Sequence, residues 1–97
     1  MPTYITLVNW TEQGVKAINE SPARLDRGNA LLKEHGGKPL ATYMTMGECD
    51  MVYIYEVPDD AAAARFTLTL AKGGSIRSKT LKAFPEAEYR QIVSSIK

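Results

Sequence analysis

The chain has 97 residues, with 12 Lys and Arg against 11 Asp and Glu, a formal net charge of +1, and 44% hydrophobic residues. This length favours a single domain over residues 1–97, and the near-neutral charge argues against nucleic acid as a partner, because such binders carry a clear basic excess. The single cysteine, Cys49, excludes an internal disulfide and a multi-cysteine metal site. No stretch approaches the roughly 18–20 apolar residues that cross a bilayer, so we expect no membrane span and a cytoplasmic location.

The first elements in chain order are a strand and a long helical region. Residues 3–10 are rich in β-branched and aromatic side chains, which is typical of a strand. Thr11 is a candidate N-cap for the helix that follows. Apolar or small residues then recur at three- and four-residue steps, which predicts one bent helical region over residues 12–35. Ser21 and Pro22 form a second start signal, with Ser21 as the cap and Pro22 at the first helical position, so that Pro22 either kinks the helix or restarts it.

The second half of the chain predicts three more strands and two more helices. Residues 38–46 and 51–57 read as strands joined by a turn at residues 47–50. Pro58, Asp59 and Asp60 precede an alanine-rich helix over residues 61–72, and a fourth strand follows over residues 76–84. We expect a terminal helix over residues 85–97 whose inward face consists of Tyr89, Ile92, Val93 and Ile96.

The predicted order β-α-β-β-α-β plus a terminal helix is the split βαβ pattern of ferredoxin-like α+β domains. In that topology strands one and three are central, both helices lie on one face of the sheet, and the other face is bare. Strand three is apolar or aromatic at six of the seven positions 51–57, although a half-exposed strand should alternate. We assign Ile5, Leu7, Val52 and Ile54 to the helices. The open face then receives Tyr4, Val8, Met51, Tyr53, Tyr55 and Val57.

An exposed apolar face of this kind marks an interface. A chain this short buries only a modest fraction of its surface alone, so pairing with a second copy is the simplest cover. We therefore expect a homodimer joined through the open faces of two sheets.

Several segments resemble one known family across essentially the whole chain: Pro2-Thr3-Tyr4-Ile5, Val8-Asn9-Trp10-Thr11, Ser21-Pro22-Ala23-Arg24, Thr45-Met46-Gly47-Glu48-Cys49-Asp50 and Leu81-Lys82-Ala83-Phe84. The sequence is similar to the GYD domain family, which is named for a Gly-x-Tyr-Asp turn and is similar to the dimeric α/β-barrel proteins. Here Cys49 replaces the tyrosine of that turn, so no role of that tyrosine carries over. The resemblance implies a dimeric barrel architecture rather than one reaction. The wider group includes cofactor-free monooxygenases, haem-degrading enzymes, dehydratases and effector-binding domains of leucine-responsive regulators.

Gly47 and Asp50 lie on either side of Cys49, the residue that departs from the family turn. Glycine supplies a positive φ in turns, and aspartate accepts hydrogen bonds from turn amides. We interpret both residues as structural. The alternative is that Asp50 is a buried carboxylate at the mouth of the barrel.

Ring and hydroxyl side chains on the strands form the candidate ligand site. If they point into a barrel interior, they combine an apolar wall with groups that orient a small molecule. The alternative is that the rings are dimer core and each hydroxyl has a backbone partner. The candidate residues are Tyr4, Thr6, Asn9, Tyr53, Tyr55, Ser78 and Thr80.

The leading hypothesis is therefore a homodimer that binds a small apolar or aromatic molecule in a tyrosine-lined cavity, without cofactor or metal. One rival is a cofactor-independent oxygenase or isomerase in which Tyr53, Tyr55 and Asn9 position the substrate, although no His or carboxylate stands out as its base. The other rival is a regulatory or structural interaction module, which the finding of a higher oligomer would favour.

Overall fold

The computed structural model describes residues Met1–Lys97 and contains every element that the sequence predicts. In chain order these are β1 (Thr3–Trp10), α1 (Glu12–Lys16), a 3-10 turn (Ile18–Glu20), α2 (Ser21–Glu34), β2 (Lys38–Met44), β3 (Met51–Glu56), α3 (Asp60–Lys72), β4 (Ile76–Ala83) and α4 (Glu86–Ser94). The architecture is the α+β, ferredoxin-like one. None of the helices combines the length and apolar character needed to cross a membrane.

The four strands form one antiparallel sheet in the order β2-β3-β1-β4, so β1 and β3 are central as expected. Ile5 of β1 lies opposite Ile54 of β3 on one side and Leu81 of β4 on the other. The edge strand β2 has an irregularity between Pro39 and Ala41. An edge strand tolerates proline because the missing N–H leaves no partner strand unpaired.

The region predicted as one bent helix is divided at Pro22. Thr11 caps α1 by accepting a hydrogen bond from the Gly14 N–H at 3.2 Å. A 3-10 turn follows, and α2 restarts at Ser21 with Pro22 in its first turn, where a missing N–H costs nothing. The prediction that Ser21 caps α2 is wrong, because the residue before it takes the cap position and no side chain bonds the first amides.

The sheet faces the helices with the side opposite to the one predicted. Tyr4, Thr6, Val8, Tyr53, Tyr55 and Val57 are buried, whereas the aliphatic residues assigned to the helices are only partly covered. The reason lies in α3, which presents the small residues Ala62 and Ala63 and the ring of Phe66 to the sheet. Small side chains on the helix leave room for large rings on the strands, since interiors pack to near-crystalline density.

The open face of the sheet is apolar, as predicted, but it is built from the other set of side chains. Strand alternation places Ile5, Leu7, Val52 and Ile54 on this face, and all four are half-buried by their neighbours alone. On the flanking strands the side chains are more exposed, with Leu81 at 51% and Tyr43 at 60%. Both faces of the sheet are therefore apolar.

The terminal helix α4 contains no buried residue. The expectation that its apolar residues face inward is wrong: Tyr89 is 57% exposed and Ile96 71%. The core lies between the sheet and helices α2 and α3, and it includes none of the α4 residues. The chain therefore presents a second apolar surface in addition to the open sheet face.

Candidate functional site

A cluster of aromatic rings fills the space between the central strands and α3. The ring of Tyr55 stacks on Tyr4 with centroids 5.5 Å apart and meets Phe66 edge-on at 5.1 Å. Tyr53 lies 5.6 Å from Tyr55 and 6.3 Å from Phe66. Pairs at these distances add stability beyond the area they bury. These rings belong to the core of the chain itself rather than to a face left for a second copy.

Two of the three clustered phenols hydrogen-bond to helices. The Tyr53 hydroxyl donates to Asn29 Oδ1 of α2 at 2.6 Å, and the Tyr4 hydroxyl donates to the Asp60 carboxylate at the start of α3. Lys82 lies 3.2 Å from the same carboxylate. The Tyr4 hydroxyl and then Lys82 lower the pKa of Asp60, because both favour its charged form.

Burial governs the ionisation of these tyrosines. Burial raises the pKa of Tyr4 to about 12, and the Asp60 carboxylate adds to the shift. Burial likewise raises the pKa of Tyr53 to about 12. At neutral pH these phenols are protonated, so they donate hydrogen bonds and do not act as bases.

The hydroxyl of Tyr55 is buried and has no hydrogen-bond partner. Burial raises the pKa of Tyr55, and the nearby hydroxyls of Thr67 and Thr6 oppose that rise without reaching hydrogen-bonding geometry. Thr6 instead pairs with Thr80, their hydroxyl oxygens 3.2 Å apart. An unpaired buried hydroxyl is uncommon in folded proteins, so this position needs an explanation.

A cavity of about 340 Å³ lies beside the aromatic cluster, between the sheet and helices α2 and α3. Its apolar wall includes Val8, Leu25, Leu31, Met51, Phe66 and Leu70. Residues with hydroxyl groups also line the cavity: Thr6, Ser21, Thr67, Thr69, Ser75 and Ser78. Two arginines, Arg24 and Arg27, line it, and no Asp or Glu does.

Arg24 is held at one end of this cavity by the backbone. Its two terminal nitrogens donate to the carbonyl oxygens of Ala17 at 3.0 Å and Gly14 at 3.3 Å. Gly14 in turn lies against Ser75, because a Cβ added there would stand 2.1 Å from the Ser75 carbonyl oxygen. The guanidinium therefore belongs to the end of the cavity formed by Trp10 and Ser75.

The structure does not bring all the predicted site residues together. Thr6, Tyr53 and Ser78 line the cavity, whereas Tyr4 and Thr80 border a shallower depression beside Asp60. Tyr55 lines neither of these two spaces. Asn9 is exposed, and strand alternation places it on the open face of the sheet, whereas Tyr53 and Tyr55 lie on the covered face. The expectation that all seven share one interior is therefore corrected, while their binding of a ligand stays a prediction.

Sequence reasoning missed Trp10, Arg24 and Gly28 as cavity residues. The available signal was helical spacing, because Ser21, Arg24 and Gly28 follow one another at three- and four-residue steps and so share one face of α2. Without the position of α3, nothing in that spacing indicates that the face borders empty space.

The turn at residues 47–50 joins β2 to β3 and reaches across to β1. Gly47 has a φ of +146°, a conformation that favours glycine. Asp50 Oδ2 accepts a hydrogen bond from the Trp10 N–H at 2.9 Å, so this carboxylate ties the turn to the end of β1 rather than to the turn's own amides. Cys49 is half-buried, and its carbonyl accepts a bond from the Thr45 hydroxyl at 2.6 Å. No group of three or more His, Cys, Asp or Glu side chains could hold a metal ion.

Comparison with known proteins identifies the family. The model of the GYD domain matches residues 4–93. A Thermus thermophilus protein named "Glutamine synthetase and cystathionine beta-lyase binding protein" is 36% identical over 89 residues, which cover 91% of this chain and 94% of the relative. The chain belongs to the GYD domain family, as its sequence segments indicate. The relative's name describes a protein that binds two enzymes.

Proposed function

We propose that this chain is a homodimeric protein-binding module, in which two copies pair through their open sheet faces and the dimer associates with other proteins. The observation that carries the proposal is the apolar centre of that face, formed by Ile5, Leu7, Val52 and Ile54. A contiguous apolar patch exposed on a soluble domain marks an interaction surface.

The distribution of charge on the open face supports pairing. Its apolar centre lies on the two central strands, whereas the charged residues Arg77 and Lys79 lie on the edge strand β4, opposite Asn9 and Leu7. Glu56 lies at the end of β3, opposite Lys38 of β2. An apolar centre with a charged rim is the usual anatomy of a protein interface. A second copy offers the same surface, so one patch covers the other.

The protein-binding part of the proposal rests on the relative. Its name says that it binds glutamine synthetase and cystathionine beta-lyase, and it aligns with nearly the full length of this chain. The apolar residues of α4 are exposed and lie outside the core, so we assign partner binding to them. We propose the corresponding enzymes of this chain's own source as its partners, and the cytoplasm as the place where they meet.

A tyrosine-lined barrel interior is not part of this proposal. Two paired open faces would enclose Ile5, Val52 and Ile54, because the rings of Tyr53 and Tyr55 point to the helices. The oxygenase or isomerase alternative needs Asn9 beside those two tyrosines, and Asn9 lies on the other face. An interaction role needs neither arrangement.

Two charge substitutions separate self-pairing from partner binding. Ile54→Glu places a carboxylate at the centre of the open face, and we expect it to weaken dimerisation about a hundredfold or more, because a buried unpaired charge costs several kcal/mol. Leu68→Glu is the control, since Leu68 lies on α3 and is 69% exposed. Sedimentation velocity measures both. A dimer of unchanged affinity in Ile54→Glu would remove the sheet face from the interface.

Partner binding is measured by biolayer interferometry with the immobilised chain and each of the two purified enzymes. We expect the wild-type chain to bind at least one of them, and Ile92→Glu on α4 to weaken that binding without changing dimerisation. A wild-type dimer that binds neither enzyme would contradict the protein-binding role and leave the dimer intact as a separate result.

A further inference from the structure

The cavity between the sheet and helices α2 and α3 has the size of a ligand site. Protein interiors leave few voids larger than a water molecule, and small-molecule sites begin near 300 Å³. At about 340 Å³ this space reaches that range. Its wall is mainly apolar, with a few polar groups that converge on it, which is the usual composition of such sites.

A glycine in the middle of α2 keeps part of this space open. Glycine inside a helix costs roughly 0.5–1 kcal/mol relative to alanine, so its presence needs a reason. Close packing is not the reason, because a Cβ at Gly28 would meet only Leu70, at 3.9 Å, an ordinary contact. A larger side chain at Gly28 would instead enter the cavity, which Gly28 and Leu70 both line.

The cavity carries positive charge at a fixed place. Arg24 uses two of its five N–H groups on the carbonyls of Ala17 and Gly14, which leaves three for a ligand. A guanidinium already held in position loses little freedom when it binds a carboxylate, and its planar fork matches that group. Arg27 adds a second positive charge, and no acidic residue lines the cavity to neutralise either.

We propose that this cavity binds a small apolar carboxylate, with the acid group on Arg24 near Trp10 and Ser75 and the apolar body along Leu31, Phe66 and Leu70. Thr6 and Thr67 also line the cavity, and both lie near the unpartnered Tyr55 hydroxyl. This site is independent of the proposed dimer and partner interfaces, because it lies on the covered side of the sheet. A short fatty acid and an aromatic acid share the required chemistry.

The test uses octanoate and its neutral amide, with phenylpropanoate as the aromatic acid. Trp10 is the only tryptophan of the chain and lines the cavity, so its fluorescence reports binding at this place. Isothermal titration calorimetry gives the affinity. We expect octanoate to bind about ten- to a hundredfold more tightly than octanamide, the worth of a hydrogen bond to a charged group. The ratio of the affinities for octanoate and phenylpropanoate then shows whether the site prefers a fatty acid or an aromatic acid. Equal affinity for octanoate and octanamide would overturn the assignment of the carboxylate to Arg24.

Two matched substitutions at one position locate the site. Gly28→Leu fills the cavity and should weaken octanoate binding about tenfold or more, whereas Gly28→Ala adds one methyl group and should retain it. Both changes favour the helix, so loss of folding does not imitate loss of binding. Ile54→Glu should bind octanoate as the wild type does. Binding unaffected by Gly28→Leu, or lost in Ile54→Glu, would place the ligand on the open face and refute the proposal.

Arg24→Gln tests the charge directly. We expect it to remove the preference for octanoate over octanamide while octanamide binding stays the same. Because Arg24 also holds the α1–α2 junction, the circular dichroism spectrum of the variant is compared with that of the wild type. If this variant does not fold, the comparison of octanoate with octanamide on the wild-type chain still decides the point.

Discussion

The covered face of the sheet carries tyrosine rings, whereas the open face carries aliphatic side chains. On the covered face Tyr4, Tyr53 and Tyr55 pack against α3, and Tyr4 and Tyr53 direct their hydroxyls to helix side chains. On the open face the side chains of Ile5, Leu7 and Ile54 are aliphatic, and the chain itself buries them only in part. The difference teaches that rings with polar tips suit a surface whose partner is fixed within the fold, while aliphatic side chains suit one that a separate copy can cover.

The largest expected effect comes from deleting a ring on the covered side. Phe66 is 2% exposed and contacts Tyr53 and Tyr55, so Phe66→Ala leaves a cavity in the core. We expect the free energy of unfolding to fall by about 3–5 kcal/mol. Urea denaturation measures it. The loss should appear at every protein concentration, whereas a change on the open face should act through dimerisation. If the loss in unfolding free energy disappeared at high protein concentration, Phe66 would act through dimerisation, and the contrast between the two faces would be wrong.

Alkaline pH should destabilise the covered face next. The pKa of Tyr4 and that of Tyr53 are each about 12 in the folded chain and 10.0 for a free phenol. Between these values the unfolded chain releases protons that the folded chain retains, so stability is complete below pH 10 and falls as pH rises toward 12. Each phenol contributes a slope of about 1.4 kcal/mol per pH unit in this window.

Thermal unfolding followed by circular dichroism across this pH range checks the alkaline prediction. Tyr53→Phe should make the curve less steep, because one titrating phenol is gone. Stability that stays constant from pH 10 to 12 would contradict the burial of these hydroxyls.

The smallest expected effect separates two neighbouring tyrosines. Tyr53→Phe removes the hydrogen bond to Asn29 and should cost about 1 kcal/mol. Tyr55→Phe removes a buried hydroxyl that has no partner and should be neutral or slightly stabilising. Urea denaturation of both variants gives the difference. A larger loss for Tyr55→Phe than for Tyr53→Phe would show that the Tyr55 hydroxyl has a partner.

The elements and their order could be predicted from the sequence, because β-branched runs, caps and glycine pairs act locally. Which face of the sheet packs against the helices could not be predicted. Strand β3 is apolar at both Ile54 and Tyr55, so its pattern does not indicate which of its two faces the helices cover. The small size of Ala62 and Ala63 on α3 decides this, because it leaves room for the tyrosine rings. The pattern of α4 likewise indicates one apolar face but not what covers it.

The candidate sites differ in the same way. The hydroxyl residues of the strands were recognisable by type, and Thr6, Tyr53 and Ser78 do line one cavity. Asn9 lies on the open face instead, because successive side chains of a strand point to opposite faces of the sheet. Arg24 and Gly28 join the cavity only through the packing of α2 beside α3, which no local pattern encodes.

Sedimentation equilibrium of the wild-type chain at micromolar concentration is the most direct test of the open apolar face as an interface between copies. The account predicts a species of twice the chain mass of 10.7 kDa, and a return to the single-chain mass in Ile54→Glu. A folded wild-type monomer at that concentration would contradict it.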